Sequence, residues 1–432
     1  MQTICKIFHV FRSWIVNKRI IITKFLRSDI FSDLGWLYLI HFFNYLIPLL
    51  LIPYLTRVLG ASGWGVLAFS LTFTGFIYLI SEYGFYLSAQ REAARYQHDI
   101  QALTQLFNDI FSAKLLVTLL VVPVLLIASR FVPTLNQDFR LFFGVLFLGV
   151  TQALSLTWYF RGIQSIKLAA GMEAVAKGLS AISVVIVIMS PEDFWKYFYA
   201  FGISQMVVVI WSFWYVSKTI RLCMPTLAGG MRGLRLGRSI FVLHATGSIF
   251  TTSSVFLLGL LASPQVVGYF AGAEKIVRFL ASVMDPVRHA MFPRLSYLVS
   301  HNRLEARSQV KIILVTTGAF GLIIGSIVYL FAPMLVTIIL GTDFLPAIDS
   351  LRLMALLVPI LTLNAGLGFL WMLPRAFERA CVTILLSSLI INILLALLLV
   401  PAWQHIGMSI SVVVSELLIM ICFFIFFSKD RD

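Results

Sequence analysis

Residues 56–95 read TRVLGASGWGVLAFSLTFTGFIYLISEYGFYLSAQREAAR. A small-residue turn, Leu59-Gly60-Ala61-Ser62-Gly63, enters an apolar run that leaves into the basic-polar segment from Arg91 to Gln101. A bilayer is crossed by ~20 apolar residues at 1.5 Å rise each, and this run of about 25 is long enough. One charge interrupts it, Glu82, immediately before Tyr83-Gly84-Phe85. A carboxylate at that depth is costly in lipid and is expected to face protein or water. A short copy of the same layout returns about 200 residues later, which suggests a chain built twice.

Composition agrees with a polytopic membrane protein. The 432 residues are 60% hydrophobic and 12% charged, with a mean hydropathy of +0.95, against about 25% charged residues in soluble domains. The net charge of +14 would suggest nucleic acid in a soluble chain. Here it is the Lys/Arg excess that cytoplasmic loops of inner-membrane proteins carry, and no nucleic-acid partner is expected. Cys5, Cys223, Cys381 and Cys422 are scattered, without CxxC or a histidine cluster, so neither a disulfide framework nor a zinc site is indicated. No GxxxxGK[ST] and no helix-opening GxGxxG is present. No cofactor is expected, other than H+ or Na+ as a coupling ion.

Spanning segments are expected at about 34–55, 65–90, 110–129, 141–160, 169–189, 197–216, 240–261, 268–290, 310–332, 350–372, 379–400 and 406–427. Before them, residues 1–28 mix aromatics with Lys6, Arg12, Lys18, Arg19, Lys24 and Arg27 and read as a basic interfacial helix on the cytoplasmic face. With the N-terminus inside, the inside segments hold 23 Lys and Arg and the outside loops 4, namely Arg57, Arg130, Arg140 and Lys196. Both termini are therefore expected in the cytoplasm.

The longest inside segment, SKTIRLCMPTLAGGMRGLRLGRS, reads as a linker because of Pro225 and the pair Gly229-Gly230. Cutting there leaves six spans on each side. An offset of 203 places Gly65 on Gly268, Ala68 on Ala271, Glu82 on Asp285 and Arg91 on Arg294. The expected fold is an all-α polytopic membrane protein of about 12 transmembrane helices in two six-helix lobes, related by a pseudo-two-fold axis along the membrane normal. The expected divisions are 1–29, a basic N-terminal segment; 30–216, the first lobe; 217–239, the linker; 240–427, the second lobe; and 428–432, the tail.

Charge inside the membrane marks the candidate site. In the eighth span, with Glu274 at 0° on a helical wheel, Arg278 falls at 40°, Asp285 at 20° and Arg288 at about −40°. Each charge costs roughly 2.5–3.5 kcal/mol at mid-bilayer, whereas a Leu or Phe returns only about 0.5. The face therefore looks at protein or water. Two readings stay open: a self-satisfied network, since Glu274/Arg278 and Asp285/Arg288 have ion-pair spacing, or a solvated transport cavity. Glu173 and Lys177, four apart in the fifth span, read as a pair. Lys114 has no partner in sequence and either snorkels to an interface or serves the cavity. His41 and Asn44 read as hydrogen-bonded core residues. His244 opens a hydroxyl-rich seventh span that suits helix packing as well as a sugar.

With these residues in hand the chain resembles the Wzx-type O-antigen and polysaccharide flippases, lipid-linked oligosaccharide translocases of the multidrug/oligosaccharidyl-lipid/polysaccharide exporter superfamily. The resemblance rests on Asn44 followed by Ile52-Pro53-Tyr54-Leu55-Thr56-Arg57-Val58-Leu59-Gly60, on Tyr83-Gly84-Phe85 and Arg91, and on Gln152-Ala153-Leu154-Ser155 leading to Trp158-Tyr159-Phe160-Arg161-Gly162. The family commonly has Gln where Arg161 stands. The resemblance implies two lobes around a cleft, alternating access, and an undecaprenyl-diphosphate-linked glycan as cargo. It further implies the bacterial inner membrane, with membrane lipids, a polysaccharide polymerase and a chain-length regulator as partners.

On that reading Arg278, Lys275, Arg288, Lys114 and Lys177 replace the hydration of the diphosphate and sugars, and Glu82, Asp285 and Glu274 are the ion-coupling candidates. Cations are expected to outnumber carboxylates in the cleft, which argues against the alternative of a cation-coupled multidrug exporter. A membrane-embedded glycan polymerase or ligase is the alternative of another class. The short outside loops argue against it, and no enzyme activity is expected.

Overall fold

The computed structural model describes residues 29–429, with the side chains of 29–46 and of a few later positions excepted. The basic segment 1–28, residues 430–432 and the side chains of His41 and Asn44 lie outside the described residues. Regular structure in the described residues is helical, in twelve passes. We label them α1 (29–59), α2 (61–95), α3 (100–129), α4 (139–162), α5 (166–187), α6 (191–217), α7 (227–261), α8 (264–301), α9 (303–330), α10 (347–372), α11 (378–403) and α12 (405–429).

Two connections are so tight that helix runs almost through them. Gly60, in the small-residue turn, separates α1 from α2 with φ 64° and ψ −179°, a left-handed φ that costs glycine little. Gln404, three residues after Pro401, separates α11 from α12 with φ 47°. Ser388 Oγ donates to the carbonyl of Ser415 at 2.7 Å, 27 residues on. A straight helix would hold these residues about 40 Å apart, so α11 and α12 lie side by side.

Eight stretches are long and apolar enough to cross a membrane, and α10, bent by 40°, makes a ninth. The tight turns at Gly60 and Gln404 divide two of the long stretches. The remaining pass, α8, carries Glu274, Lys275 and Arg278 in its middle. It is a span that only protein on nearly every side permits: from Val266 to Val277 every residue but Lys275 is buried.

The helices α2 and α8 cross at the centre of the molecule. A Cβ on Gly65 would collide with the carbonyl oxygen of Pro264, and one on Gly268 with that of Ala61. The offset of 203 that relates 65 to 268 also relates 61 to 264, so the crossing is reciprocal, as a two-fold axis requires. Close backbone approach of this kind is how small residues let membrane helices pack.

Around that crossing one apolar core draws on both halves, from Leu51 and Phe69 to Phe270, Leu340 and Met408. It lies toward the end of the bundle that bears Gly60, Pro191, Pro264 and Asp343. Toward the opposite end, which bears the linker, the core divides. One part runs through Phe85, Phe107, Trp158 and Val216 of the first half, the other through Leu295, Leu314, Trp371 and Phe427 of the second. The halves share one core at the Gly60 end; at the linker end their apolar cores are separate, and the start of α7 makes the contact between them.

The linker differs from its sequence reading. Helix α7 starts at Leu227, inside the stretch read as linker, with Thr226 Oγ1 capping the N–H of Gly229 at 3.1 Å. The glycines 229, 233 and 237 recur every fourth residue and form one stripe against the first half. A Cβ would stand 2.7 Å from Asp109 Oδ1 at Gly229, 2.8 Å from the Asp109 carbonyl at Gly233 and 2.5 Å from the Tyr83 carbonyl at Gly237. Arg232 adds a two-pronged ion pair to Asp109, at 2.8 and 2.6 Å. Glycines that suggest flexibility in sequence are here a packing face.

Candidate functional site

The first half builds its polar site on two helix breaks. Pass α2 is interrupted at Tyr83 and Gly84, with φ 45° and 76°, directly after Glu82. Pass α4 is interrupted between Ala153 and Thr157, which strips the carbonyls there of helical partners. Lys114, 1% exposed, reaches across from α3 and uses all three donors. It gives one to Glu82 Oε2 at 2.5 Å, one to the Ala153 carbonyl at 3.0 Å and one to the Ser155 carbonyl at 3.1 Å. Glu82 is equally enclosed, at 4%. Lys114 therefore does not snorkel: the break in α4 supplies acceptors that no interface need provide.

Beside this tie lie two adjoining cavities of about 210 and 200 Å³, both bounded by Tyr78, Ser155, Thr157 and Glu173. Glu173 accepts from Arg161 Nη2 at 2.7 Å, so the Arg at the family's usual Gln position has its own carboxylate. Lys177 lines the first cavity one turn beyond Glu173, and His244 closes the second, its ring 4.8 Å from that of Tyr86.

The second half builds a larger space. A cavity of about 570 Å³ is lined by Arg278, Asp285 and Arg288 from α8, Asn364 and Phe369 from α10 and Glu416 from α12. Both sequence-spaced pairs form: Arg278 Nε donates to Glu274 Oε1 at 2.8 Å, and Arg288 Nη2 lies 2.9 Å from Asp285 Oδ1. Glu274 is buried behind the wall, while the side chains of Arg278 and Arg288 stay 28% and 26% exposed. Arg288 also lies over the Phe369 ring at 5.2 Å, a cation–π contact, and its Nε has no hydrogen-bond partner among the described residues.

The structure thus gathers Arg278, Arg288, Asp285 and Glu274 at one cavity, Lys177 at another and Lys114 with Glu82 in a sealed tie. Lys275 stands apart, exposed and outside the cavity wall. Sequence reading missed Glu416 and Asn364. Asn364 Nδ2 donates to Glu416 Oε2 at 2.9 Å and to its carbonyl at 3.1 Å, and Glu416 is 5% exposed. The signal was available, since Glu416 is the one carboxylate in the last span. It also corrects the charge balance. The larger cavity presents two cations and two carboxylates, so cations do not outnumber carboxylates there.

The motif at the end of α1 joins the halves. Tyr54 Oη shares its one O–H between the carbonyls of Val185 and Ile188, at 2.9 and 2.6 Å, tying α1 to the end of α5. Arg57 Nη2 donates to the Ile338 carbonyl at 2.6 Å and Thr56 Oγ1 reaches that of Ile339 at 3.4 Å, tying it to the second half.

Residues 30–299 match the family model described as polysaccharide biosynthesis protein. The chain belongs to that family. A Shigella dysenteriae protein that carries an O-antigen transporter name is 28% identical over 89% of this chain and 96% of its own. An Escherichia coli K12 protein of the same name is 23% identical over 90% of this chain and 94% of its own. Among solved structures the lipid II flippase MurJ, in an inward closed conformation, superposes with a TM-score of 0.66 at 14% identity, over 92% of this chain and 87% of that one. This chain and MurJ thus share a fold over most of both lengths.

Proposed function

We propose that the protein carries a polyprenyl-diphosphate-linked glycan, undecaprenyl diphosphate being the expected carrier, from the cytoplasmic to the periplasmic leaflet of the bacterial inner membrane by alternating access. The observation that carries this reading is the cavity in the second half, where two partly exposed arginines line about 570 Å³ of space inside a membrane bundle. Guanidinium offers planar, paired donors that match phosphate oxygens. The names of the two relatives support the cargo class. Transport rather than catalysis is supported by the connections at the Gly60 end, the longest of which, 331–346, carries no histidine and one charge, Asp343.

The Lys/Arg excess of 23 to 4 favours the linker end as cytoplasmic. The joined core at the Gly60 end then closes the periplasmic side, with Arg57 and Thr56 as part of its latch. Cargo enters from the cytoplasm as the lobes part. The arginines already hold carboxylates, so the diphosphate competes with Glu274 and Asp285. Protonation of Glu274, or cation binding there, frees Arg278 for phosphate and couples loading to an ion gradient. The balanced cavity would also suit an exporter of cations, and the test must separate the two.

Cells lacking the protein should accumulate the lipid-linked glycan on the cytoplasmic leaflet. Arg278→Ala, Glu274→Ala and the double variant, scored separately for membrane level and surface glycan, give the second arm. The double variant should recover most of the protein level, because Glu274 goes with its partner and Glu416 keeps its hydrogen bond from Asn364, but not export. No accumulation on deletion, or normal export by the double variant, overturns the assignment.

A further inference from the structure

We infer that the paired cavities of the first half form a sugar-recognition subsite, which binds a pyranose unit of the cargo while the second half holds the diphosphate. The inference rests on the glycan-carrying reading above and adds where, and by what chemistry, the glycan is read.

Three observations carry it. The first is charge. The two carboxylates that reach these cavities are matched from within, Glu173 by Arg161 at 2.7 Å and Glu82 by Lys114 at 2.5 Å, and Lys177 adds a single cation beside Glu173, so the walls present many hydrogen-bonding groups and little net charge. That suits a polyol better than a diphosphate.

The second is the set of groups without protein partners. Trp158, 2% exposed, lines one cavity, and among the described residues its Nε1 donor has no hydrogen-bond partner; nor has His244 Nδ1 in the same wall. Gln152 and Gln205 bring primary amides to the adjoining cavity. An amide offers donors and an acceptor together, as a sugar hydroxyl demands. Buried donors that the protein itself does not satisfy discriminate strongly for a ligand that does.

The third is shape. Tyr78, Tyr86 and Trp158 put aromatic surfaces beside these polar groups, and a pyranose has the matching character, apolar C–H faces with a rim of hydroxyls. The walls come from α2, α4, α5 and α6, with His244 from the middle of α7, so the subsite belongs chiefly to the lobe opposite the arginine cavity. A cargo held at both would bridge the lobes.

The test uses the purified full chain in lipid nanodiscs and two probes. One is undecaprenyl diphosphate without sugar; the other is the lipid-linked glycan extracted from cells lacking the protein. The native chain should bind the glycosylated lipid at least about tenfold more tightly. Gln205→Ala and Trp158→Phe, the latter keeping most of the aromatic surface and removing the N–H, should each cut that preference by about fivefold, the weight of one hydrogen bond. Affinity for the sugar-free lipid should not change. Full preference in both variants, no preference in the native chain, or equal loss for both lipids overturns the subsite. Arg278→Ala reports on the other reading: unchanged affinity for the sugar-free lipid would remove the diphosphate site while leaving the sugar preference to be judged by its own ratio.

Discussion

Glu82 and Asp285 occupy equivalent positions of the two halves, each beside a break in its pass, and their surroundings have diverged. In the first half the carboxylate sits at the edge of a small cavity, held by Lys114, and both side chains are at most 5% exposed. In the second half Asp285 and Arg288 are 20% and 26% exposed on a cavity of about 570 Å³. A broken helix frees carbonyls and admits charge in both places. The neighbour across the gap then decides the outcome: Lys114 fills the gap in the first half, whereas the residue at the same offset in the second is Thr317, a cavity wall. One repeat closes its charge into the scaffold and the other keeps it available.

The largest expected effect breaks the sealed member. Lys114→Ala strands Glu82 and two carbonyls in an enclosed site, a loss of about 3–5 kcal/mol, and membrane level and detergent thermostability should collapse. Lys114→Ala with Glu82→Ala should recover most of that stability. If the single variant is stable and only export fails, the tie is not a scaffold and the contrast between the halves is lost.

A smaller effect is expected from the open member. Arg288→Ala leaves a partner that water can reach, so its stability cost should stay below about 1 kcal/mol, while surface glycan falls well below native at near-native protein level. A collapse in level like that of Lys114→Ala would show that both pairs are structural.

The smallest effect belongs to the latch. Arg57→Ala removes one exposed hydrogen bond to the Ile338 carbonyl and should raise the labelling rate of a cysteine placed by Asp343→Cys, in a background lacking native cysteines, by about two- to threefold. An impermeant thiol reagent on intact cells reports this and the sidedness together. Labelling of the Ser217→Cys variant but not of the Asp343→Cys variant would invert the assigned orientation.

Much of this was legible in one dimension. Twelve passes followed from hydropathy because lipid makes each pass satisfy its own backbone. The offset that places Gly65 on Gly268 was visible in sequence as a repeat, but that both glycines meet at one crossing of α2 and α8 appears only in the fold. The pairs on α8 followed from spacing of three and four residues, which a helix brings together without help from tertiary structure. Lys114 and Glu82 are 32 residues apart, and no local rule joins them. The pair Gly229-Gly230 read as part of a linker because a chain connection and a tight helix contact use the same residue type, and only the neighbour tells them apart.

The sequence by itself determined that the chain is a membrane bundle, where its passes lie and which charges cannot face lipid, because these depend on transfer from water to hydrocarbon and on helical period. Tertiary structure alone decided which charges are spent on the scaffold and which line space. It placed Glu416 opposite Arg278 and gave Arg161 its carboxylate. Burial and pairing are properties of what stands across a gap, and only the folded packing brings those residues together.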